Sequence, residues 1–204
     1  MKKRILALLL AVTTAFALTA CGSGNTASNG SASTASTASD PNFKGETIKI
    51  AYLPITHALA VFEAAEELKD NPDIRVELVK YGSWTELMDA LNTGNVDGAS
   101  VLVELAMKSK QEGIGLKAVA LGHKDGNVIV ASDKVQSAED LKGKTIAIPH
   151  RQSSHNILVN LELAKANLTV NDIKITELAP TEMPSALASG QIDGYCVAEP
   201  FGAQ

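Results

Sequence analysis

The side chains best suited to chemistry in this chain stand where strands give way to helices. One such exit is Gly82-Ser83-Trp84-Thr85-Glu86, which places the only tryptophan directly after a serine. Ser83 to Glu86 has the S-x-x-E spacing of a helix capping box, so Trp84 falls in the first helical turn. From there its ring can wall a binding site and its indole N–H can donate to a ligand; the same ring can also simply pack under the loop. A second exit is Pro149-His150-Arg151-Gln152-Ser153-Ser154-His155. His155, at a helix start after two serines, can donate to a bound oxyanion, with Ser154 beside it, or serve only as a solvated or capping histidine. His150 and Arg151 read as exposed loop residues. Thr56 in Pro54-Ile55-Thr56-His57 fits an N-cap, and His57 suits a site or the surface equally well. Ser100 ends another short strand, and the last strand delivers Ala198-Glu199-Pro200, where Glu199 can cap a following helix or face a ligand. Helix starts carry free N–H groups and the positive end of the helix dipole, so Ser, Thr, Trp and His gathered there suit a small anion.

Rival chemistries find less support. His150 and His155 are five apart and do not share a helix face. No His, Cys or Glu spacing of a metal motif occurs, so neither a metal nor a cofactor is expected. The nucleophile elbow G-x-S-x-G, the P-loop and G-x-G-x-x-G are all missing from the sequence. Acid–base catalysis would have to fall to His57, His155 or Glu199.

The elements that must position these residues alternate short β-rich runs with helical stretches, the pattern of an α/β fold with mainly parallel sheets. Strands are expected over Thr47–Leu53, Ile74–Val79, Gly98–Val101, Lys117–Gly122, Val128–Ser132, Thr145–Pro149, Ile173–Leu178 and Ile192–Val197. Helices are expected over Ala58–Leu68, Trp84–Asn92, Leu102–Lys110, Ser154–Ala166 and Met183–Ser189, with one turn at Ala138–Leu141. The order repeats. Phe43-Lys44-Gly45-Glu46-Thr47-Ile48 matches Leu141-Lys142-Gly143-Lys144-Thr145-Ile146 at an offset of 98. Downstream, Ala90-Leu91-x-x-Gly94-x-x-Asp97-Gly98 matches Ala186-Leu187-x-x-Gly190-x-x-Asp193-Gly194 at an offset of 96. Each copy of the second motif reads as a helix closed by a left-handed glycine, then an Asp-Gly turn into a buried strand. Two similar lobes follow, residues 43–128 and 129–204.

The N-terminus carries a different message. Lys2, Lys3 and Arg4 precede an uncharged, mostly apolar run from Ile5 to Leu18. That run is shorter than the ~20 residues a spanning helix needs, and it reads as a secretory signal over residues 1–20. Leu18-Thr19-Ala20-Cys21 resembles the bacterial lipobox, which implies acylation of Cys21. Residues 21–42, rich in Ser, Ala, Thr and Gly, read as a lipidated cysteine and flexible tether. Removal of residues 1–20 leaves 15 basic against 23 acidic residues. The mature chain is thus clearly acidic, a poor partner for nucleic acid. Cys196 is left without an intrachain partner and reads as a small core residue.

Several of these pieces together resemble one family. They are the lipobox, Ile50-Ala51-Tyr52-Leu53-Pro54, Ser83-Trp84 before a helix ending at Gly94 and Asp97-Gly98-Ala99, Leu141-Lys142-Gly143-Lys144-Thr145-Ile146-Ala147, and Cys196-Val197-Ala198-Glu199-Pro200-Phe201. Over residues 46–204 they are similar to the solute-binding proteins of nitrate, bicarbonate, aliphatic-sulfonate and taurine ABC importers, a group that includes thiamine-precursor binders. The resemblance implies a two-lobed periplasmic-binding-protein-like fold (type II) that closes on one solute by a hinge. It implies a monomer, lipid-anchored outside the cell membrane, that meets an ABC permease and its ATPase. It carries Trp84 and His155 over as lining an anion site and points to Thr56, Ser100 and Asn127 at the crossovers. Members of the family run to about 300 residues, so the second lobe is expected to be incomplete. An enzyme on the same architecture, a thiamine-precursor binder and a ligand-sensing lipoprotein stay open as alternatives.

Overall fold

The computed structural model describes residues 33–34, 43–122 and 124–204. The signal segment, Cys21 and all of the tether except Ser33–Thr34 lie outside the described residues.

In the first lobe, β2 (Glu46–Tyr52) and β3 (Ile74–Lys80) are rich in β-branched residues and pair in parallel over seven positions. The connection between them runs through a 3-10 turn (Thr56–Ala58) and α1 (Leu59–Glu67). On the outer side of β3 lies β1 (Ser33–Thr34), antiparallel, so two residues of the expected tether line the sheet edge. On the other side β2 meets β4 (Gly98–Ala99) in parallel, giving the order β1-β3-β2-β4. α2 (Trp84–Asn92) leads into β4, and α3 (Val103–Gln111) follows it. Leu53, Trp84, Leu87, Val96 and Leu105 pack into the lobe's core.

The second lobe repeats the plan with β5 (Asn127–Ala131), β6 (Thr145–Ile148), α4 (Ser154–Lys165), β7 (Lys174–Glu177), α5 (Met183–Ala188) and β8 (Gly194–Ala198). Its order is β5-β8-β6-β7, parallel except for β5. α4 and α5 both pack against β8, whose five residues are all buried. Cys196 belongs to that core, and burial pushes its thiol up to about 12, so it is inert.

The sequence repeat is a repeat of hydrogen bonds. Asp97 accepts from the Lys49 N–H at 2.8 Å and returns its own N–H to the Lys49 carbonyl at 2.9 Å. Asp193 does both with Thr145, at 2.8 Å each. Gly94 and Gly190 sit before these clasps at φ of +74° and +73°, where a glycine is favoured.

Two local expectations fail. The alternation over Lys117 to Gly122 predicts a strand, and none forms. Val119 and Leu121 stand 96% and 91% exposed there. Propensity marks a run as able to pair, but a ladder needs a neighbouring backbone, and among the described residues β4 pairs only with β2. Thr56 is the first residue of its turn rather than the N-cap, and its side chain caps nothing.

Candidate functional site

The strand exits of the two lobes meet around a cavity of about 440 Å³. That volume suits a small solute. Thr56 and His57 line it from the turn after β2, Leu59 and Ala60 from the start of α1, and Glu199 from the end of β8. Gly122, Asp125 and Gly126 complete it from the segment joining the lobes. The backbone fixes this meeting point. The Thr56 N–H donates to the Glu199 carbonyl at 2.9 Å, and the Glu199 N–H donates to the Gly126 carbonyl at 2.9 Å. Ser100, at the exit of β4, donates its hydroxyl proton to the His57 carbonyl at 2.8 Å, and so holds the Thr56–Ala58 turn against β4.

Two polar atoms on residues lining this cavity are buried without a hydrogen-bond partner: Thr56 Oγ1 and Glu199 Oε2. Buried polar atoms are ordinarily paired, so such orphans mark where a ligand or water belongs. Trp84 is 1% exposed and sits in the first lobe's core, beside Ala198 from the second. Its ring is therefore a structural residue, yet its Nε1 is another buried orphan. Ser83 serves the helix, accepting from the Glu86 N–H at 3.3 Å, while the Glu86 carboxylate turns back to the Gly82 N–H at 3.3 Å.

His155 is 1% exposed at the second position of α4. Burial, joined by the charge of His57, lowers it to about 4, so it is neutral at ordinary pH. Its Nδ1 lies 3.2 Å from the Ser153 hydroxyl, and its Nε2 is a buried orphan. Ser154, first in α4, is half-buried.

Sequence reasoning named eight ligand candidates, and the structure distributes them unevenly. Thr56 and Glu199 share the cavity with His57, and His155 is near enough to feel the charge of His57. Trp84 and Ser100 do not line it; one lies in the packed core and one in a backbone brace. Asn127 lines a different hollow, between β5 and α4, with Ile129, Leu158 and Leu161. Asp125 and Ser153 carry no motif and were not anticipated; only their place beside a glycine and before a helix start could have flagged them.

Among the described residues no three His, Cys, Asp or Glu side chains converge as metal ligands, and no helix is long and apolar enough to cross a membrane.

Comparison with known proteins places this arrangement. The model of the NMT1-like family matches residues 42–204. The ligand binding component of an ABC-type import system from Staphylococcus aureus, solved with zinc bound, is 44% identical at a TM-score of 0.72, covering 78% of this chain and 56% of that one. The alkanesulfonate-binding protein SsuA of Xanthomonas axonopodis pv. citri, bound to MOPS, shares the fold at a TM-score of 0.58 and 24% identity, covering 76% of this chain and 55% of that one. The bicarbonate transport ATP-binding protein CmpC of Synechocystis is 27% identical over a 177-residue alignment that covers 76% of this chain and 26% of CmpC. The chain thus spans between a quarter and about half the length of these relatives.

Proposed function

From the chain's place as a member of the NMT1-like family, we propose that it is the solute-binding component of an ABC importer rather than an enzyme. It captures a small oxyanion such as nitrate, bicarbonate or an aliphatic sulfonate and delivers it to a permease driven by its ATPase. Acylated Cys21 holds the mature monomer at the outer face of the cell membrane.

The observation that carries this reading is the cavity between the strand exits, bordered by buried polar atoms that nothing among the described residues satisfies. The transport roles in the names of the Staphylococcus and Synechocystis relatives support it.

Calorimetry on the chain from residue 21 onward, titrated with nitrate, bicarbonate and ethanesulfonate, tests the assignment. Trp84→Phe keeps an aromatic ring in the core but removes the indole N–H together with the five-membered part of the ring system, and Thr56→Val exchanges the hydroxyl for a methyl. Each is expected to weaken the bound solute by about 5- to 30-fold, the worth of one hydrogen bond in a dry site. Unchanged affinity in both variants would overturn the site.

A further inference from the structure

The hydrogen-bond chain around His155 fixes which of its nitrogens carries the proton. The Ser153 hydroxyl lies 2.6 Å from the His150 carbonyl oxygen. A carbonyl can only accept, so the single hydroxyl proton of Ser153 points there. Toward His155 Nδ1, 3.2 Å away, Ser153 therefore offers a lone pair, and Nδ1 must carry the hydrogen. In the neutral ring this leaves Nε2 bare. Nε2 is a buried atom with no partner, on a side chain only 1% exposed, so it is an acceptor held ready for a donor.

The same serine shapes the rest of the subsite. Ser153 is the N-cap residue of α4, but its hydroxyl is engaged by His150 and His155 and gives the helix no side-chain cap. The first N–H groups of α4 thus keep their affinity for negative charge. Glu199 Oε2, on a residue that lines the cavity with His57, is another buried orphan. N–H groups at a helix start and a bare imidazole nitrogen on the second residue of that helix suit a solute that is anionic on one side and donates on another.

We infer that the solute carries an O–H or N–H donor, placed on Nε2 of His155, together with its anionic oxygens. This rests on the binding-protein reading and narrows it. Bicarbonate, with its hydroxyl, or an aminoalkyl sulfonate, with its ammonium, fits; nitrate and unsubstituted alkyl sulfonates do not. It also reverses the donor role that residue type alone suggested for His155. Protonating the ring so that Nε2 donates is opposed by its surroundings. His57, on the turn before α1, is the one titratable group among the described residues whose charge acts on it, and it acts against protonation. β8, on which α4 packs, brings Tyr195 and Cys196, both shifted upward by burial and neutral, so neither supplies a compensating negative charge.

Two matched pairs test the inference by calorimetry on the chain from residue 21 onward: bicarbonate against nitrate, and 2-aminoethanesulfonate against ethanesulfonate. The donor-bearing member of at least one pair is expected to bind roughly 10- to 100-fold tighter at pH 7.5. His155→Phe should erase that preference whatever it does to absolute affinity. A donorless anion should bind only with proton uptake, gaining about tenfold per pH unit as pH falls toward the histidine's own range. Donorless members that bind as well as their partners, with no pH dependence between pH 7.5 and 5, overturn the inference. Imidazole 15N NMR of the free protein reads the tautomer directly. A protonated Nε2 overturns the inference whatever binds. A bare Nε2 with no binding by any of the four solutes upholds the acceptor and discards the oxyanion reading instead.

Discussion

His155 shows how a residue's type and its role separate once its partners are known. A histidine at a helix start reads from sequence as a donor to an anion. Its neighbour two positions back decides otherwise, because the Ser153 proton goes to the His150 carbonyl. Residue type was legible; the direction of a neighbouring hydroxyl proton was not, since it depends on where the loop 149–153 turns. The same burial has a cost in stability that can be measured. His155 titrates near 4 when folded and near 6.5 when unfolded, so between those values the unfolded chain binds the extra proton. Stability is therefore complete above about pH 6.5 and falls as pH drops toward 4, by on the order of 3 kcal/mol. Urea unfolding at pH 7.5 and 4.5 should show this loss, and His155→Phe should remove most of it. An equal pH slope in the variant would assign the loss to other groups.

At the scale of elements, the repeated Asp-Gly step was the most informative feature of the sequence, though turn formation explains only half of it. The aspartates clasp the neighbouring strand at Lys49 and Thr145, which no spacing rule could announce because the partners are 48 residues away. The glycines that follow sit opposite an isoleucine in each register, Gly98 against Ile50 and Gly194 against Ile146. Their surroundings differ. A Cβ on Gly98 would come to 2.9 Å from the Ile50 Cδ1, the mobile end of a side chain. A Cβ on Gly194 would come to 2.9 Å from the Val130 carbonyl oxygen, fixed in the β5–β8 pairing, and to 3.2 Å from the Ile146 Cδ1. Gly194→Ala should thus destabilise by about 1–3 kcal/mol and Gly98→Ala by less than about 1 kcal/mol. Chemical denaturation of the two variants decides, and equal losses would contradict the packing argument. Helix ends and most strands were legible for the same reason these glycines were: local chemistry sets them. Lys117 to Gly122 was misread because pairing depends on a neighbouring backbone, and none among the described residues pairs with it.

At the scale of the molecule, the two lobes are joined by more than the segment between them. Ala198 of β8 lies in the first lobe's core with Trp84 and Leu53. Phe201, three residues on, packs against that core and also against the second lobe's cluster around Met183, Tyr195 and Val197. Tyr195 donates its hydroxyl to the Phe201 carbonyl at 2.9 Å and so holds the loop that carries the ring. With the Thr56–Glu199 backbone bond, these contacts bring lobe stability and site geometry onto the same few residues. Removing the Phe201 ring takes apolar contact from both cores at once. Phe201→Ala is expected to cost about 2–4 kcal/mol, towards the lower end because the ring is only partly buried. Its diagnostic effect is on cooperativity. If the ring couples the lobes, calorimetric unfolding should change from one transition to two, or broaden markedly, whereas Tyr195→Phe should lower the single transition without splitting it. A Phe201→Ala variant that melts in one sharp step, merely at lower temperature, would show that the backbone clasp alone couples the lobes and that Phe201 only adds to the core.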